Sequence, residues 1–267
     1  MRLNQLFARS RAAEGPLDSL IDDCLVAIAY QPVVDLQTGT VFAYEALARP
    51  QPDLFRSPPE MIEAATKAGR VGELGRLLRR LSVEGCSEHP LFINIDPNEF
   101  DHGFLVRPDD PMYFHHHPVF LEITEAVPLG YFEQCQSVLA EIRRKGMPLI
   151  VDDLGSGYSN LKYISDLHPD IVKLDRGLIE GLECGTRTFQ LVRSIVNLCR
   201  DMGAKVVAEG IETVQELEAV REAGADFGQG YLLARPAFPP PLVTPQRGWH
   251  SNVEKDGVPN ALDSSRP

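Results

Sequence analysis

The chain has 267 residues, 43% of them apolar and 24% charged, and a formal net charge of −12. Length and composition fit one large soluble core of the size of a single α/β barrel. The acidic balance excludes sequence-independent binding to a DNA or RNA polymer, which needs clustered Lys and Arg; an anionic substrate would need a local positive charge such as a metal ion.

Five cysteines (Cys24, Cys86, Cys135, Cys184 and Cys199) are scattered without CxxC spacing. They read as reduced core thiols of a cytoplasmic protein, not as a disulfide frame or a zinc site. The longest apolar runs, such as 24–30, are far too short to span a membrane. The N-terminus carries arginines but no apolar signal segment, so no membrane association is expected.

In chain order, residues 1–21 read as a short helix or loose arm. Short β-rich runs follow at 24–36, 41–50, 91–97, 119–125, 149–154, 171–174, 205–209 and 227–233. Amphipathic segments lie between them. One is 131–145, with Cys135, Val138, Leu139 and Ile142 at i, i+3, i+4, i+7 spacing; another is 186–202. Most later runs are apolar until a polar residue ends them, as in parallel strands covered on both faces. Eight such runs predict a TIM-like (β/α)8 barrel. Only residues 37–40 separate the first two runs, which permits a hairpin but no helical crossover, so the first strand should be antiparallel. After Pro236 come Pro239, Pro240, Pro241 and Pro245 and then polar residues, the composition of an extended or disordered tail. The expected organisation is an arm over 1–21, a barrel over 22–238 and a tail over 239–267.

Polar residues recur where the apolar runs stop: Glu45, Asn94, Glu122 with Glu125, Asp152 with Asp153, Lys173 with Asp175, Glu209 with Glu212, and Gln229. In a barrel all these ends meet at the C-terminal mouth, where barrel enzymes place their sites. Any one strand-end acid is more often a helix cap. An Asn, a Lys and a Gln on the same schedule argue for a site. Converging carboxylates repel one another unless a cation relieves them. The ligand set of Glu45, Asn94, Glu122, Asp152 and Asp153 is all oxygen, which favours Mg²⁺, Mn²⁺ or Ca²⁺ over zinc or copper. Adjacent aspartates suit two ions, the arrangement used for in-line displacement at phosphorus. Lys173 would steady the attacking water or the developing charge.

The order of these segments resembles a known family. Glu45-Ala46-Leu47-Ala48-Arg49 carries the EAL-x-R signature, preceded by Gln31-Pro32-Val33-Val34-Asp35. Asn94-Ile95-Asp96-Pro97, Glu122-Ile123-Thr124-Glu125, Asp152-Asp153-Leu154-Gly155, Lys173-Leu174-Asp175, Glu209-Gly210-Ile211-Glu212 and Gln229-Gly230-Tyr231 follow in family order. Over about residues 22–236 the chain is similar to EAL-domain cyclic diguanylate phosphodiesterases. That resemblance implies hydrolysis of cyclic di-GMP to linear 5′-pGpG with two divalent ions, Mg²⁺ or Mn²⁺. It assigns Glu45, Asn94, Glu122 and Asp152 to one ion and Asp152 with Asp153 to the other. It gives Lys173 the catalytic water, and Glu209 and Gln229 the shell around water and metal. Arg49 would grip a substrate phosphate, Gln31 and Leu47 would help place the substrate, and Glu125 would tie down the loop after Asp153. That loop departs from the usual DFGTGYSSL at Leu154, Ser156 and Asn160, and Asp96 stands where Ser is common; none of these removes a ligand.

Three further features are read plainly. His115-His116-His117 lies before the fourth run and reads as a solvated loop. Gly155-Ser156-Gly157 lacks the G-x-G-x-x-G pattern and reads as a mobile active-site loop. The 186–202 helix has two apolar stripes, one of Phe189, Val192, Val196 and Cys199 and one of Leu191, Ile195, Leu198 and Met202. One covers the barrel; the second either meets another subunit or is buried in the same chain, and a homodimer through this region is predicted. A regulatory protein partner stays open. The alternative to an enzyme is a catalytically silent EAL-like module that binds cyclic di-GMP or a protein; a phosphodiesterase of short linear nucleotides is a third reading.

Overall fold

Asp35 ends the first strand and builds the turn after it. Its Oδ1 accepts hydrogen bonds from the amides of Gln37 and Thr38 at 2.9 and 2.8 Å. Gly39 then takes φ 74°, which only glycine adopts cheaply. The hairpin so formed joins β1 (Val26–Asp35) to β2 (Val41–Pro50), with Gln31 opposite Glu45 and Val33 opposite Ala43.

The computed structural model describes residues 15–124, 132–155 and 162–243. After the hairpin come β3 (Leu91–Ile95), β4 (Val119–Thr124), β5 (Leu149–Leu154), β6 (Ile171–Leu174), β7 (Lys205–Ala208) and β8 (Phe227–Gly228). The eight strands close in chain order into a barrel. β1 is antiparallel to both its neighbours, β2 and β8, and all other pairs are parallel. The predicted barrel with an antiparallel first strand is the observed fold. The last strand is shorter than the run at 227–233 suggests. After Gly228 the chain turns and bonds to the Ile211 backbone instead, through Ile211 N to Gln229 O and Leu232 N to Ile211 O.

The helices are α1 (Pro16–Asp22), α2 (Pro58–Lys67), α3 (Val71–Gly85), α4 (Phe132–Arg144), α5 (Lys162–Leu167), α6 (Arg176–Ile179), α7 (Arg187–Asp201) and α8 (Val214–Ala223). Leu17 and Leu20 of α1 pack with Met61 and Ala65 of α2 and Leu74 and Leu77 of α3. On the other side, Val192, Val196 and Cys199 of α7 meet Val206 and Ala208 of β7 and Leu217 and Val220 of α8. Side-chain caps start several helices: Thr186 Oγ1 accepts from Phe189 N, and Thr213 and Glu216 form a reciprocal capping box. Of the second stripe, Leu191, Leu198 and Met202 face out, Leu191 51% and Met202 39% exposed, whereas Ile195 is half-buried against the core beneath α7. Residues 236–241 run back along β1. Ala237 pairs with Tyr30, and the Tyr44 hydroxyl donates to Pro241 O. Among the described residues no helix is long and apolar enough to cross a membrane.

Candidate functional site

Side chains two apart on a strand share a face. That repeat builds the barrel interior in layers. Val33, Ala43, Phe92, Phe120, Ile150, Ile171, Val207 and Phe227, one from each strand, form a single buried cluster. Two residues nearer the mouth, on the strand or just beyond it, each of these positions is followed by a polar one. They are Glu45, Asn94, Glu122, Asp152, Lys173, Glu209 and Gln229, with Gln31 from the reversed β1. The polar layer therefore rests on an apolar plug.

Asp153 joins this layer through a break in the repeat. β5 pairs with β6 through Ile150 and Val151, slips, and resumes at Leu154. Asp153 sits at φ 61°, a left-handed conformation that costs on the order of 1–3 kcal/mol in a residue with a side chain and that clusters at functional sites. With the alternation broken, Asp152, Asp153 and Glu209 each bring a carboxylate oxygen within 4.8 Å of the others.

Lys173 stands at the centre, 1% exposed. Its Nζ lies 2.7 Å from Glu209, 2.9 Å from Glu122, 3.1 Å from Asp152 and 3.4 Å from Glu45. Asn94 Nδ2 donates to Glu45 Oε1 at 3.1 Å, and Gln229 Nε2 donates to Glu45 Oε2 at 2.7 Å and to Gln31 Oε1 at 3.2 Å. Gln31 is held in turn by donating to Ala234 O. So Glu45, Gln229 and Gln31 form one oriented chain across β1, β2 and β8.

The charges do not balance. Among the described residues, five carboxylates (Glu45, Glu122, Asp152, Asp153 and Glu209) share the layer with one ammonium. Burial pushes Glu122 well above the usual carboxylate range, and the nearby charge of Glu45 adds to it. Burial also pushes Glu209 up to about 8, against the pull of Lys173. For Glu45, burial is outweighed by Lys173 and by the bonds from Gln229 and Asn94, which hold it below its ordinary value. Burial opposes the charge on Lys173, but the four carboxylates around it outweigh that and raise it well above an ordinary lysine. Among the described residues, no hydrogen-bond donor reaches two buried acceptors, Glu122 Oε2 and Gln229 Oε1. Buried polar atoms are nearly always partnered, so an orphan in a native fold calls for an ion or a ligand. Oxygen donors, excess negative charge and orphaned acceptors fit a hard divalent cation.

Two openings meet at Leu47. A cleft of about 220 Å³ lies over Glu45, Glu209 and Gln229 and is bounded by Arg176 and Tyr231. A largely apolar cavity of about 280 Å³ is bordered by Arg49 and Asn94. Arg49 is exposed, its guanidinium held by Ala48 O at 2.9 Å. Sequence reasoning missed Arg176, which reaches the cleft and pairs with Glu212 at 3.1 Å. Its signal was its place in the turn directly after Lys173-Leu174-Asp175. Also missed was the exposed Tyr231 ring, with the Arg235 guanidinium 4.1 Å above it. Glu125 and the loop residues 156–160 lie outside the described residues. His115 bonds Cys86 O and His117 O on the approach to β4, away from the polar layer.

An EAL domain family model matches residues 16–236. The chain belongs to the EAL domain family. It is 34% identical over 222 residues to the uncharacterized protein y4lL of Sinorhizobium fredii, covering 78% of this chain and 26% of that one. It is 33% identical over 228 residues to the cyclic di-GMP phosphodiesterase PA2567 of Pseudomonas aeruginosa, covering 80% and 39%. Among solved structures, the PaMucR phosphodiesterase in complex with c-di-GMP superposes with a TM-score of 0.70 at 26% identity, covering 83% of this chain and 95% of that one. Klebsiella pneumoniae BlrP1 in a manganese/cyclic-di-GMP complex gives 0.67 at 32% identity, covering 80% and 56%. This EAL domain spans between a quarter and a half of the length of the curated relatives it matches.

Proposed function

We propose that this EAL domain hydrolyses cyclic di-GMP to linear 5′-pGpG at a site for two divalent ions, Mg²⁺ or Mn²⁺. The observation that carries the reading is the polar layer itself: four carboxylates around one lysine and a fifth, Asp153, beside two of them, with oxygens of Glu122 and Gln229 that no donor among the described residues reaches. The relatives named as cyclic di-GMP phosphodiesterases and the manganese-bound neighbour support it. Glu45, Asn94, Glu122 and Asp152 would hold one ion, and Asp152 with Asp153 the other. When bound, such ions polarise the phosphodiester and lower the pKa of a coordinated water.

The chain's own residues do the rest. Lys173 brings a fixed positive charge to the middle of the layer, where it holds the attacking water and the charge that grows on the phosphoryl oxygens. Glu209, 2.7 Å from Lys173, completes the shell around that water and the ions. Gln229 orients Glu45 and Gln31 fixes Gln229. The Arg49 fork suits a substrate phosphate, and Leu47 offers apolar surface between the two openings. Glu125 would tie down the loop after Asp153. The second stripe of α7, Leu191, Ile195, Leu198 and Met202, is the proposed homodimer face, in a cytoplasmic protein open to a regulatory partner.

The test is hydrolysis of cyclic di-GMP by purified protein, followed by chromatography, with Mg²⁺, Mn²⁺, Ca²⁺ or chelator. Formation of pGpG with Mg²⁺ or Mn²⁺ but not with chelator is the expected result. Tight binding of the intact ring without product would replace the enzyme with a silent receptor module. Neither product nor binding would overturn both.

A further inference from the structure

A group of buried charges lies outside the mouth, behind β3. Arg79 of α3 is 1% exposed, Glu99 2% and Asp110 0%. Arg79 Nη1 donates to Glu99 Oε2 at 2.5 Å, while Nε and Nη2 fork onto Asp110 at 3.0 Å. Buried charges of this kind are weak stabilisers compared with apolar packing. Their value has to be sought in the geometry they impose.

That geometry leads to the polar layer. Asn94 is the fourth residue of β3, and Asp96 follows the strand and caps a 3₁₀ turn (Pro97–His102). Asp96 Oδ1 accepts from Asn98 N at 2.9 Å. Glu99 reaches back, and its Oε1 accepts from Asp96 N at 3.2 Å. The other oxygen of Glu99 is the one that Arg79 holds. Asp110 caps a later 3₁₀ turn (Pro111–Phe114) by accepting from Met112 N. One guanidinium thus clamps both ends of the segment that leaves β3 two residues after Asn94.

Gly75 supplies independent support. It lies in the interior of α3, where glycine costs about 1 kcal/mol relative to alanine. A Cβ there would overlap the Glu99 carboxylate. The helix therefore carries a gap that Glu99 fills, one turn before Arg79.

We propose that Arg79 is a positioning residue: acting through Glu99 and the Asp96 backbone, it fixes the end of β3 and so aims the Asn94 amide oxygen into the metal site. Asn94 Nδ2 is already committed to Glu45, which leaves Oδ1 as its ligand atom. The proposal rests on the reading of Asn94 as a metal ligand.

The experiment is calorimetric titration of Mn²⁺ into the purified full chain, with melting temperature measured on each protein. The variants are Arg79→Lys, which keeps the charge but loses the fork; Gly75→Ala, which pushes the Glu99 carboxylate without removing a charge; Asn94→Ala; and Arg79→Lys combined with Asn94→Ala. Outer partners of metal ligands typically change affinity by about 10–100-fold. Arg79→Lys and Gly75→Ala should each weaken Mn²⁺ binding by about tenfold. In the Asn94→Ala background Arg79→Lys should add no further loss, because the path runs through Asn94. A purely structural clamp would lower the melting temperature and leave Mn²⁺ affinity unchanged, and that result overturns the proposal. So does a full additive loss in the double variant. Should Arg79→Lys fail to fold, Gly75→Ala alone decides between unchanged and weakened affinity. Absence of Mn²⁺ binding by the unaltered chain would instead bring down the metal reading, and this proposal with it.

Discussion

In the lower layer of the barrel, Phe92 packs against Phe120 at 5.1 Å, and Phe42, packed against the layer, stacks on Phe227 at 4.2 Å. These rings complete one another and need nothing from outside. In the upper layer, two residues further along the same strands, Lys173 is shared among four carboxylates and oxygens of Glu122 and Gln229 go without donors. The same backbone repeat supplies both layers. The lower one is finished by folding; the upper one, on the reading proposed above, is finished by a cation. Selection for stability would fill the upper layer with apolar side chains as well, because apolar replacements of buried charges are often neutral or stabilising.

The sharpest way to break this contrast is Glu45→Ala or Asp152→Ala. Either should abolish hydrolysis in a steady-state assay, and Glu122→Gln should do so while leaving the metal-free melting temperature unchanged or higher, since burial and the charge of Glu45 already oppose the charge on that carboxyl. A folded variant with undiminished turnover would refute the site. Lys173→Ala should act in the opposite sense on stability. It strips the carboxylates of their partner, so thermal melts in chelator should show a large loss, of the order of the roughly 3–5 kcal/mol seen when one member of a buried pair is removed. Mn²⁺ should narrow that deficit, and kinetics should show turnover falling more than KM changes. Equal melting with and without the lysine would contradict the charge argument.

Phe92→Ala tests the lower layer. Denaturant titration should show a loss of about 3–5 kcal/mol from the cavity, with the chemistry of the remaining folded molecules largely kept. The smallest effect concerns a carboxylate that serves the fold instead of the site. Glu216 accepts from Gly181 N and Glu212 N at 2.8 Å and from Thr213 N at 2.9 Å. Against the upward push of burial, these bonds hold its carboxyl below the usual value. Its stabilisation is therefore fully present above the unfolded-state pKa and is lost as pH falls through the lower folded-state pKa. Glu216→Ala should cost about 1 kcal/mol at neutral pH, and melts in acid should show the gap to the unaltered chain closing. A gap that widened in acid would reverse the assignment.

The polar schedule was legible in sequence because a strand repeats every two residues, so a Phe, Ile or Val followed two places on by Asn, Glu, Asp or Lys announces a layered interior. The closing hairpin was legible from the four residues between the first two runs. Asp152 and Asp153 were legible together as ligands, but the slip in β5 that lets neighbouring residues share the mouth was not, because it leaves no composition signal. α2, α3 and α8 went unnamed, although Val71, Leu74, Leu78 and Leu81 repeat at helical spacing along α3. Arg79, Glu99 and Asp110 were invisible, since separations of 20 and 31 residues carry no local pattern.

The most direct test of the central claim is equilibrium dialysis of the purified chain against Mn²⁺, with bound ions counted per chain. The account predicts two ions, with binding lost in Asp152→Asn, which keeps the shape of the side chain and removes the charge shared by both positions. No bound ion in the unaltered chain, or the same count after Asp152→Asn, would contradict it.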